Sequence, residues 1–164
     1  TYDEGGGHDV VMEHVRDQLE DVGVDVTLRS LPFEDYLAAL ADGDLALYRF
    51  GWQAQYGTPG AMLEPLLRSG APREAGDGAN YGNYTDDRVD ELLDDARSAA
   101  AVHERQEAWT RAEQIALDEL PVIPLFTYRQ RNVVSERVAD LTLTPWGTAT
   151  PERAHVVADP EIVP

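Results

Sequence analysis

At 164 residues and 43% hydrophobic side chains, the chain has the length of one domain, enough to bury about 70% of its unfolded surface. Thirteen Lys and Arg stand against 31 Asp and Glu, a net charge of −18, which argues against nucleic acid and against an anionic membrane surface. There is no cysteine, so disulfides, zinc–thiolate sites and thiol catalysis are excluded, and no apolar run approaches the ~20 residues that span a bilayer.

Residues 1–3 read as the end of a strand that runs into the turn Gly5-Gly6-Gly7. Val11, Val15, Gln18, Leu19 and Val22 then recur at helical spacing and stop at Gly23, a natural helix terminator. Residues 24–28 alternate and are β-branched, which predicts a strand. Phe33, Tyr36, Leu37 and Leu40 predict a short helix ending at Asp42-Gly43. Residues 45–50 form an apolar run, opened by the Asp42-Gly43-Asp44 turn, with the length of a buried strand. The order β-α-β-α-β predicts an α/β fold with a mixed, mainly parallel sheet flanked by helices, in which residues 24–28 and 45–50 are parallel neighbours.

Beyond that strand the chain leaves through Gly51, Trp52, Gln53, Gln55, Tyr56 and Pro59. In open α/β sheets the ligand crevice lies past the carboxyl ends of the strands, so this exit is the expected ligand wall. Met62, Leu63, Leu66 and Leu67 predict a helix from Gly60, and residues 71–84 read as a Gly/Asn-rich loop. Thr85 is the expected N-cap of a helix whose buried face is Val89, Leu92, Leu93, Ala96 and Ala100. A second helix carries Ala108, Trp109, Ala112, Ile115, Ala116 and Leu120. Residues 121–126 are expected to end it and begin a strand, and further strand pieces are expected at 133–134, 141–143 and 156–157.

Few residues suggest chemistry. Gly5-Gly6-Gly7-His8 matches neither dinucleotide nor P-loop glycine patterns and reads as a plain turn. His8, His14, His103 and His155 lack metal-ligand spacing, so no metal or cofactor is expected. Asp86, Asp87, Asp90, Glu91, Asp94 and Asp95 fit a solvated helix face. No Ser lies in a nucleophile elbow. Trp52 and Tyr56 either cap the core or line a ligand. Arg49 lies in an apolar run, where a charge needs a partner: a structural carboxylate or a ligand carboxylate.

Several stretches, in order, resemble one family. Arg49-Phe50-Gly51-Trp52-Gln53-Ala54-Gln55-Tyr56 with Pro59 resembles the R-x-G-W-x-A-D-Y-x-x-P segment of the peptide/nickel-type (family 5) extracellular solute-binding proteins of ABC importers. Gly6-Gly7-His8 with Gln18-Leu19 and Gly23-Val24 resembles their opening, and Asn80 to Thr85 with Asp90-Glu91-Leu92-Leu93 a later motif. Glu104-Arg105-Gln106 through Ile115, then Pro121-Val122-Ile123-Pro124-Leu125, resembles a third.

The resemblance implies a non-catalytic receptor that captures an oligopeptide or similar small solute by closing two lobes, delivers it to a membrane permease, and works outside the cell as a periplasmic protein or surface lipoprotein. This chain, residues 1–164, would be one domain of a longer protein, its C-terminal lobe, with 129–164 a tail that pairs with the missing lobe. The family roles fall on Arg49 for a ligand carboxylate, Trp52 for the pocket wall, and Gln55 where an aspartate receives the ligand ammonium. Tyr56 and Asn80 complete the expected ligand-binding set. Gln55 is neutral, so a nickel chelate, an oligosaccharide or a modified peptide stays open beside peptides. The alternative from the residues alone is an α/β enzyme domain with its site at the same strand ends.

Overall fold

The computed structural model describes residues 1–43, 45–71, 78–129, 131–144 and 147–157. Asp44, residues 72–77 of the expected loop, and parts of the tail lie outside the described residues. The chain divides into two compact units, residues 1–53 with 57–123, and residues 54–56 with 124–164.

The first unit has the expected α/β character. It runs β1 (Tyr2–Asp3), α1 (His8–Asp21), β2 (Ser30–Leu31), α2 (Phe33–Asp42), α3 (Gly60–Leu67), α4 (Asp87–Ser98) and α5 (Val102–Glu119). α1 ends as the sequence predicts: Gly23 takes φ 87°, its N–H donates to Glu20 O, and the Val24 N–H reaches Leu19 O. Those two bonds satisfy carbonyls that a helix end otherwise leaves open.

Two strand expectations need correction. The ladder beside β1 forms at Ser30–Leu31, not at 24–28, with Tyr2 opposite Ser30 in parallel register. β1 is only two residues long, and among the described residues the β-branched run at 24–28 forms no ladder. Residues 45–50 form no regular strand either. They lie along the other side of β1 for one parallel step, with the Thr1 amino group donating to Leu47 O at 2.8 Å and Arg49 N–H to Thr1 O at 3.0 Å. The ladder stops there because the Arg49 carbonyl instead receives the Tyr36 hydroxyl, and the Asp3 carbonyl faces the His8 ring. β1 therefore lies between β2 and residues 45–50.

α3, α4 and α5 bury Leu67, Val89, Leu92, Leu93, Ala96, Ala108 and Ala112 together, the face that the helical spacing predicts. A second cluster joins Tyr36 and Leu40 of α2 to Ala79 and Tyr81, with Tyr48, Phe50, Trp52 and Leu66 packed against it. Leu66 borders both.

The N-cap of α4 is Asp86, one residue past the expected Thr85. Its carboxylate accepts from the backbone N–H of Arg88 at 2.8 Å and from Arg88 Nε at 3.0 Å. Arg88 also reaches Glu119 at the end of α5, which accepts from the Tyr84 hydroxyl at 2.9 Å. The Arg88 side chain, with the capped N–H groups, holds the Asp86 carboxyl down at about 2 from an ordinary 3.8. A depressed carboxyl contributes stability that is fully present above the unfolded value of 3.8 and is lost as pH falls through about 2. Asp86→Asn is therefore expected to flatten the loss of stability across that window, read as urea midpoint against pH. An acid limb unchanged by the substitution would contradict the cap's role.

In the second unit, β3 (Val138–Ala139) pairs antiparallel with β6 (His155–Val156), and β4 (Thr142–Leu143) with β5 (Ala149–Thr150). A single 3-10 turn, Pro151–Arg153, separates β5 from β6. Residues 121–126 and 133–134 are not strands. Pro121 and Pro124 bring no N–H to a ladder, and Ile123, Phe126 and Val133 are exposed.

Candidate functional site

Three of the residues expected to line a ligand wall, Arg49, Trp52 and Asn80, lie in the first unit, and each is held in place by its neighbours. The first is Arg49. Its Nη1 lies 3.2 Å from Asp3 Oδ1, and both side chains are largely buried, at 11% and 13% exposed. Asp3 stands at the end of β1, and the same oxygen lies 3.1 Å from His8 Nδ1. Of the two partners that an arginine in an apolar run could have, a structural carboxylate is present. The Tyr36 hydroxyl, donated to the Arg49 carbonyl, is pushed above its usual pKa by burial, and the Asp3 charge adds to this.

The second is Trp52, whose indole N–H donates to Ala61 O at 2.9 Å. Proline explains why that carbonyl is open. Residue 65, four after Ala61 in α3, is Pro65 and has no N–H to complete the helical bond. Trp52 takes the missing donor's place, which fixes the indole against the helix. Its ring stacks on Phe50 at 6.3 Å and 28°, and Phe50 meets Tyr81 edge-on at 5.1 Å and 72°. Tyr48 meets Tyr81 edge-on as well, at 6.3 Å. The result is an aromatic shelf continuous with the α2 core.

The third is Asn80, 5% exposed. Its Nδ2 donates to Arg68 O at 3.0 Å and to Tyr84 O at 2.8 Å, while its Oδ1 accepts from Tyr84 N at 2.9 Å. These bonds tie the end of α3 to the approach to α4 and place Tyr81 on the shelf.

Arg49 and Trp52 thus share one unit and one short segment. Gln55 and Tyr56 belong to the second unit, and both are exposed. Asp3, His8, Tyr36, Tyr48 and Tyr81 were not anticipated as parts of this wall. The signal for the first two was a carboxylate and a glycine-flanked histidine just past a strand end.

The described chain has no helix long and apolar enough to cross a membrane. Residues 1–73 match the family model described as "Bacterial extracellular solute-binding proteins, family 5 Middle". Over 140 residues the chain is 26% identical to the peptide transport periplasmic protein SapA of Haemophilus influenzae, covering 84% of this chain and 24% of that protein. It is 29% identical over 105 residues to the probable deoxycholate-binding periplasmic protein YgiS of Escherichia coli, covering 64% of this chain and 18% of that protein. The solved structure of OppA from Burkholderia pseudomallei aligns with a TM-score of 0.73 at 24% identity, over 84% of this chain and 26% of that one. At that identity the likeness is one of fold. The chain spans about a quarter of the length of the SapA relative.

Proposed function

From a chain that belongs to the family 5 bacterial extracellular solute-binding proteins, we infer part of a receptor that captures an oligopeptide or similar small solute for an ABC importer. It acts outside the cytoplasmic membrane, as a periplasmic protein or a surface lipoprotein, and its macromolecular partner is the importer's permease. Capture needs no catalysis, only complementarity and closure of a second lobe over this one.

The observation that supports this most is the pairing of a largely buried guanidinium, Arg49, in the segment that runs beside β1, with an aromatic shelf ending in Trp52 just past it. A guanidinium fork suits a carboxylate, and an aromatic face suits a side chain or an apolar ring. Gln55 and Tyr56 come next in the sequence but belong to the second unit, and Gln55 brings no charge for a ligand ammonium. Relatives named for peptides and for deoxycholate suit a pocket whose constant demand is an acidic, partly apolar ligand. The relatives are transport and binding proteins, which favours binding over turnover.

A pocket of this kind buries most of the ligand between two walls. Calorimetry should compare the full-length protein with the 164-residue chain, using short peptides and deoxycholate as probes. One of these is expected to bind the full-length protein, and to bind the chain alone at least roughly a hundredfold more weakly, since losing about half the contacts removes several kcal/mol. Equal affinity in both would remove the two-lobe mechanism, and no binding to the full-length protein would remove the ligand class.

A further inference from the structure

The turn Gly5-Gly6-Gly7-His8 has no role in capture as described so far, yet it is built for one arrangement. All three glycines have positive φ, at 89°, 60° and 75°. The His8 ring folds back over Gly6, where a Cβ would stand 2.8 Å from Nε2. A side chain at position 6 would therefore meet backbone strain and displace the ring. From this seat His8 Nδ1 lies 3.1 Å from Asp3 Oδ1 and 3.3 Å from the Asp3 carbonyl oxygen. In the tautomer with its N–H on Nδ1, that one donor faces both acceptors.

Arg49 Nη1 approaches the same Oδ1 at 3.2 Å. A carboxylate withdrawn from water needs donors, and two donors converging on one oxygen fix its rotamer. A guanidinium paired to a fixed carboxylate is fixed in turn. Its five N–H donors allow a guanidinium more than one partner at a time. Tyr36 adds to this by holding the Arg49 carbonyl, so backbone and head group are tied separately.

We propose that His8 is a positioning residue for Arg49: seated over Gly6, it orients the Asp3 carboxylate, which sets the direction of the guanidinium and so its hold on a ligand carboxylate. The proposal rests on the assignment of Arg49 as a ligand group and adds His8, Asp3 and Gly6 as its support.

The test uses the full-length protein with trialanine and its C-terminal amide as probes, in wild type, Arg49→Gln, His8→Ala and His8→Gln. Arg49→Gln is expected to abolish the preference for the acid over the amide. His8→Ala is expected to reduce that preference roughly fivefold, the worth of one lost hydrogen bond. His8→Gln, whose amide can donate to the same oxygen, should retain most of it. If Arg49→Gln collapses the ratio and His8→Ala leaves it unchanged, His8 is not a positioning residue, while Arg49 keeps its role. If Arg49→Gln leaves the ratio intact, the ligand role of Arg49 fails and this proposal with it. Proton exchange at the Arg49 guanidinium, measured by NMR without ligand, decides the matter if neither peptide binds. It should quicken several-fold in His8→Ala and recover in His8→Gln, and an unchanged rate overturns the proposal.

Discussion

Leu93→Ala is expected to lower the stability of the chain by about 4 kcal/mol, in the upper part of the range for leucine truncations. Leu93 is fully buried at the junction of α3, α4 and α5, among Leu67, Val89, Leu92, Ala96, Ala108 and Ala112. Truncation removes the transfer energy of the lost carbons and leaves a cavity, whose size depends on how far the neighbours can move in. Three of those neighbours are alanines, which have no rotamer to swing into the space. The hole therefore stays open. Urea unfolding should show a midpoint lower by more than about 1 M, given slopes of about 1–3 kcal/mol per molar for small proteins. Leu117→Ala is the control: the same truncation at a site 45% exposed should change stability by less than about 1 kcal/mol. Comparable losses at both positions would mean that the three-helix core is not the dominant one.

That core was legible because its information is local. The spacing of Val89, Leu92, Leu93, Ala96 and Ala100 names a buried face without knowledge of the partner; the first four are buried, while Ala100 lies past the end of α4 and is exposed. The first sheet was less legible for the opposite reason. Whether residues 45–50 continue a ladder depends on a hydroxyl supplied from Tyr36, thirteen positions upstream of the Arg49 carbonyl it takes. No periodicity records that. The sequence showed that Arg49 needed a partner but not which of 31 carboxylates, and Asp3 lies 46 positions away. Trp52 is an intermediate case. Pro65 announces a carbonyl without a donor at Ala61, and an indole nearby is an obvious candidate, so the bond could have been inferred had the two been placed together. The N-cap at Asp86 rather than Thr85 is a smaller miss: both residue types cap well, and only the geometry chooses between them.

Asn80 offers the sharpest separation of a structural role from a ligand role. Its amide makes three hydrogen bonds to backbone groups, two as donor and one as acceptor, at a position 5% exposed. Alanine would remove all three and leave the Arg68 carbonyl and both polar groups of the Tyr84 backbone without that partner. At about 1 kcal/mol for each net hydrogen bond, and more where the orphaned group stays buried, Asn80→Ala is expected to cost about 3–4 kcal/mol. Asn80→Asp is the informative comparison. It keeps an acceptor for Tyr84 N–H but loses both donors and places a charge beside two carbonyl oxygens, so it should be no better than alanine. A ligand contact would behave otherwise, with affinity falling in the alanine variant while the unfolding midpoint hardly moved. Midpoint and affinity, measured on the same full-length variants, therefore separate the two roles. A loss of less than about 1 kcal/mol in Asn80→Ala would mean that the three bonds do not hold α3 to α4.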